Sequence, residues 1–150
     1  MLEFKQAISK LHQSQLFRDF QLKDVKAYLT NSVYIDEWQI NYFSTKTKMI
    51  TTFTVNGKVS KKMLDSNNME FPQLNIAKLK IDSGKILEIA KKFIREKEAK
   101  IIIILQSENS IPVWSVSVPL MSLKVVHIKI SAGTGEILEN TEKSIIEVRR

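Results

Sequence analysis

The pattern of apolar and polar positions changes period along the chain. Between residues 3 and 17, Phe4, Ala7, Ile8 and Leu11 recur at helical spacing, and Leu16 and Phe17 extend that apolar face. One helix is expected there, with Phe20 and Leu22 leading into an extended stretch. From about Val25 the period falls to two. Lys26 to Ile35 predicts a strand around Ala27–Leu29 or Val33–Ile35. Glu37 to Phe43 predicts another, since Trp38, Ile40 and Tyr42 alternate with Gln39 and Asn41. Met49 to Val55 follows a polar turn at 44–48. Asn56-Gly57 signals a hairpin, because both residues tolerate positive φ, and Val59 begins a short return strand.

Residues 65–82 read as a connector. Asp65-Ser66-Asn67-Asn68 is rich in turn formers, and Pro72 does not fit a central strand. An edge strand over Leu74, Ile76, Leu79 and Ile81 is compatible with their imperfect alternation. Ser83 is the expected N-cap of a second helix carrying Ile86, Ile89, Ala90 and Phe93. The consecutive apolar residues Ile101 to Leu105 predict a strand buried on both faces. Trp114, Val116 and Val118 then alternate as Trp38, Ile40 and Tyr42 do. Val126, Ile128 and Ile130 parallel Thr51, Phe53 and Val55, and Gly135-Glu136-Ile137 parallels Gly57-Lys58-Val59.

The order helix, strand, Trp-bearing strand, strand, glycine turn thus occurs twice. The expected fold is α+β, in two repeated units, each a helix on a three- to four-stranded antiparallel meander. The units span 1–64 and 83–150, with 65–82 connecting them. A meander with one apolar face cannot hide that face alone, so each helix should cover its own sheet. Both tryptophans lead apolar faces and belong under the helices rather than against a stacked base.

Composition narrows the function classes. The 150 residues are 43% hydrophobic and 26% charged, as in ordinary globular proteins. The absence of cysteine excludes disulfides and thiolate metal sites. Met1 to Lys5 lacks the apolar core of a signal peptide, and Ile101–Leu105 is far too short to span a bilayer. A cytoplasmic location without membrane association is expected. The net charge of +7 suits a polyanionic or acidic partner. Lysines gather at Lys46, Lys48, Lys58, Lys61 and Lys62, the candidate polyanion contacts. A second group, Lys91, Lys92, Arg95, Lys97 and Lys100, is interrupted by Glu96 and Glu98.

Reactive constellations are missing from the pattern. His12 and His127, the two histidines, have no metal-ligand spacing around them. No Gly-x-Ser-x-Gly elbow frames Ser117, Ser122 or Ser131, and Ser131 lies about 13 Å along a strand from His127. Asp36 and Glu37 are adjacent, so in extended chain they face opposite ways. Gly133-Thr134-Gly135 precedes a predicted strand, which supplies no helix N-terminus for a phosphate. Neither an enzymatic activity nor a cofactor is expected.

The second half resembles the PepSY family of small cystatin-like modules. The resemblance is carried by Ile86–Ala90, by Pro112–Val118, and by Val126–Leu138 with its Thr134-Gly135-Glu136 turn. It covers residues 83–140; Ser131 stands where that family often has Asp, and its members are commonly exported. The resemblance implies a binding or inhibitory module acting on other proteins, often peptidases, and assigns no residues to that role. A non-enzymatic protein-binding module is the expectation, with a basic nucleic-acid-binding protein as the alternative.

Overall fold

The computed structural model describes residues 2–95, 97 and 100–144. Two helices, α1 (Phe4–Gln13) and α2 (Gln15–Lys23), precede strands β1 (Ala27–Ile35), β2 (Glu37–Ser44), β3 (Met49–Val55) and β4 (Val59–Asp65). A connector with a 3-10 turn at Ile76–Lys78 leads to α3 (Ser83–Lys91). Strands β5 (Ile102–Glu108), β6 (Ile111–Pro119), β7 (Lys124–Ser131) and β8 (Ile137–Ser144) follow among the described residues.

The expected single helix over 3–17 is two. Ser14 is extended (φ −77°, ψ 144°) and serves both ends: its N–H reaches the Leu11 carbonyl, and its Oγ accepts from the Phe17 amide. Its hydroxyl competes with the helical backbone for hydrogen bonds, which breaks the helix there. The new direction buries Phe17 and Phe20, so Phe20 and Leu22 are helical rather than extended. β1 is one continuous strand with a bulge between Leu29 and Asn31. The return strand begun by Val59 runs seven residues, and no strand forms in 74–81.

All eight strands join one antiparallel sheet, in the order β4-β3-β2-β1-β5-β6-β7-β8. Each run of four consecutive strands is a meander, and the two meet where β1 pairs with β5, Val33 opposite Ile104. Pairing ends at Asn31–Gln106. Beyond it the connector takes the place beside β1, with the Leu74 amide on the Leu29 carbonyl and the Thr30 hydroxyl on the Pro72 carbonyl.

The α-helices pack on one face of the sheet. Phe4, Ala7, Leu11, Phe17, Ile86 and Ala90 close over Trp38, Ile40, Phe53, Trp114, Val116 and Ile128 in a single apolar cluster. Both indoles are buried, at 1% and 0% exposure. The strand expected to be buried on both faces alternates instead. Ile103 and Leu105 enter the core, while Ile102 and Ile104 are half-buried on the other side. Their neighbours across the ladder there are Ser117 and Ser115, so that side is semi-polar rather than a second core.

The helix N-termini are tied to each other. Asp82, not Ser83, caps α3, its carboxylate accepting from the Ser83 amide at 2.7 Å. Ser83 is the first helical residue, and its Oγ accepts from the Phe4 amide of α1 at 3.0 Å. Asp82 also accepts from the Lys5 amide, and the Glu3 carboxylate accepts from the Gly84 amide. Orphan amides of each helix are therefore satisfied by side chains preceding or opening the other.

Candidate functional site

The five lysines do not converge. Lys46 and Lys48 lie in the β2–β3 turn, and Lys58 lies in the β3–β4 turn, at the opposite end of β3. Six residue steps along β3 put these turns about 20 Å apart. Lys61 and Lys62 sit between them on β4, opposite Phe53 and Thr52, hence on different faces of the sheet. Lys48 is engaged by Glu70 at 3.8 Å. In the second group Lys91 ends α3, Lys100 pairs with Asp36 at 3.4 Å, and Glu96 and Glu98 lie outside the described residues.

The other sequence candidates fall into ordinary surroundings. Asp36 occupies a tight turn at φ 65°, and Glu37 accepts from Asn56 Nδ2. Gly133 to Gly135 lead into β8 rather than a helix. His12 stacks on Phe17 at 4.7 Å and lies 3.3 Å from the Tyr42 hydroxyl. Burial lowers the His12 pKa and pushes the Tyr42 phenol far above its usual range.

His127 has closer company than its sequence neighbours suggest. Across the β6–β7 ladder, Ser117 Oγ is 3.0 Å from its Nδ1 and Ser115 Oγ is 3.4 Å from its Nε2. Glu139 of β8 stands 3.4 Å from Nε2. These side chains project from the consecutive strands β6, β7 and β8, and the serines stand on β6, whose backbone pairs with β5 on one side and β7 on the other. The group is a cross-strand polar network on the uncovered face. Among the described residues no three His, Cys, Asp or Glu side chains gather as metal ligands.

An apolar concavity lies on that uncovered face, beside the β5–β6 and β7–β8 turns. It has a volume of about 490 Å³. Its floor is apolar, from Ile111, Pro112, Val113 and Leu138, and its wall is an ion pair between Glu108 and Lys129 at 2.9 Å. The hydrogen bond from Lys129 to Glu108 raises the lysine pKa. Ile111 and Leu138 are about half exposed, at 51% and 50%. The sequence reading missed this site. Glu108 and Lys129 are 21 residues apart and belong to strands separated by β6, so only the sheet order brings them together. The legible signal was a charge at the end of β5, Glu108, and one within β7, Lys129, each on the polar phase of an alternating strand.

Among the described residues no helix is long and apolar enough to cross a membrane. No family model matches the chain, and no curated protein matches it. The fold is similar to the crystal structure of a candidate lipoprotein from Clostridium difficile 630, with a TM-score of 0.64. That likeness covers 95% of this chain and 93% of the other at 12% identity, and it establishes a shared fold alone.

Proposed function

We propose that the chain is a non-enzymatic module that binds another protein, built as a tandem of two cystatin-like units resembling PepSY domains. The observation that carries the binding reading is the half-exposed apolar cavity walled by Glu108 and Lys129 on the face that the helices leave uncovered. Exposed apolar side chains grouped within a polar rim are a common mark of a surface that docks another protein.

The tandem reading draws on two parallels. Trp38 Nε1 donates to the Leu2 carbonyl and Trp114 Nε1 donates to the Ile81 carbonyl, each just ahead of a helix cap. The strands also run outward from the β1–β5 seam in matching order. A nucleic-acid role has less support, because the candidate lysines are spread along β3 and β4 and across two faces. For location, the likeness to a candidate lipoprotein gives a reason to test a non-cytoplasmic site beside the cytoplasmic one expected from sequence. Fractionation of producing cells separates the two.

Affinity capture from the source cell's extract tests the binding reading. The wild-type protein should retain a specific partner, and Ile111→Asp or Leu138→Asp, verified as folded by circular dichroism, should release it. Retention of nothing above background by wild type, or equal retention by both variants, would overturn the proposal.

A further inference from the structure

We propose that the free edge of β4 accepts an acidic, extended segment of a partner protein as a ninth strand. This rests on the reading of the chain as a protein-binding module and adds a second place of contact and the chemistry it selects. Among the described residues β4 ends the sheet, so alternate residues direct their N–H and C=O groups outward. Every β4 residue after Val59 is exposed.

The charges along this edge are mainly positive; its one acid, Asp65, closes the strand and accepts from the Asn67 amide. Lys58 to Leu64 contain three lysines and no acid. Among the described residues Lys58, Lys61 and Lys62 form no ion pair. Register sets Lys61 on the helix-bearing face and Lys62 on the open face. A strand laid against β4 presents its own side chains alternately to those same two faces. Acidic residues on successive positions of such a strand would each find a lysine. Met63 and Leu64, 50% and 48% exposed, add one apolar contact to each face. A nucleic-acid backbone follows one surface and makes no use of strand amides, so this arrangement favours a peptide.

A second copy of the chain fits less well. Centred on Lys61 or Lys62, β4 against β4 would oppose lysine to lysine, a like-charge pairing across strands; only a register centred near Met63 sets Lys61 against Asp65, and it leaves Lys62 facing Leu64. The other free edge, β8, has charges of both signs, and its acids are engaged: Glu142 with Lys124 at 3.4 Å and Glu139 with His127.

The probe is a fluorescein-labelled eight-residue peptide with two adjacent glutamates at its centre, flanked by valine and threonine, titrated with the intact chain and followed by anisotropy. A copy N-methylated at alternate amides keeps the charge and loses the strand donors. A single-stranded oligonucleotide serves as the polyanion control. The parent peptide should bind, slow hydrogen exchange at β4, and lose affinity about tenfold for the K61E/K62E double variant. The N-methylated copy should bind far more weakly. Equal binding of the N-methylated copy, stronger binding of the oligonucleotide, or no binding of the parent peptide would overturn the proposal. Ile111→Asp, which disables the cavity, should leave peptide binding unchanged, so loss of the cavity reading and loss of the edge reading are separable.

Discussion

The indoles of Trp38 and Trp114 meet edge to face, with ring centroids 6.3 Å apart, although 76 residues of chain separate them. Phe4 stands edge-on to both, at 5.4 and 5.9 Å. Each indole N–H is satisfied by the carbonyl just ahead of a helix cap, so burial leaves neither indole donor unpaired. The three rings join the two ends of the chain into one core.

Replacing either tryptophan by Phe removes that donor and orphans a carbonyl, with an expected loss of about 1–3 kcal/mol. Replacement by Ala should cost about 3–5 kcal/mol. A double-mutant cycle of Trp38→Phe and Trp114→Phe in urea should return a coupling energy of about 0.5–1.5 kcal/mol. Strict additivity would mean that the rings do not interact.

Ser83→Ala should destabilise the protein by about 1 kcal/mol, although the residue is not the cap of its own helix. The loss falls on α1, whose Phe4 amide loses its acceptor. Hydrogen exchange at Phe4 should accelerate more than exchange at Ile86. A reversed order would return the serine to an ordinary role within α3.

Glu3 ties stability to pH. Burial raises its pKa above 4.5, and the nearby Asp82 carboxylate adds to the shift. The folded state therefore holds the proton to higher pH than the unfolded chain. The contribution from Glu3 is fully present below pH 4.5 and is lost as pH rises through the folded pKa. Glu3→Gln should flatten this part of the urea stability profile. An unchanged difference between wild type and variant from pH 4 to 7 would rule the linkage out.

Two hairpin glycines should answer differently to alanine. Gly57 and Gly135 have φ of 108° and 80°, so an alanine at either would carry the left-handed strain that glycine escapes, about 1 kcal/mol. A Cβ at Gly57 meets open space, whereas one at Gly135 comes within 2.7 Å of the Ile81 Cδ1. Thermal unfolding should show the larger loss for Gly135→Ala, reduced to the extent that the flexible end of Ile81 turns away. A smaller loss than at Gly57 would contradict the packing described.

Local pattern determined a good deal of this protein. The alternation around Trp38 and Trp114 marks which strand faces are buried, because side chains on a strand turn to opposite sides at every step. Asn56-Gly57 places a hairpin for a similarly local reason, the φ values these residues accept. Tertiary structure decided the rest. Ile101 to Leu105 reads as a fully buried strand, yet which neighbours cover its second face depends on the distant partners β1 and β6. The Ser14 break depends on where Phe17 can reach the sheet. The Glu108–Lys129 wall and the exchange of caps between α1 and α3 exist only once strand order and register bring distant segments together. Sequence periodicity records that a side chain is to be buried, while the identity of what buries it is a property of the assembled sheet.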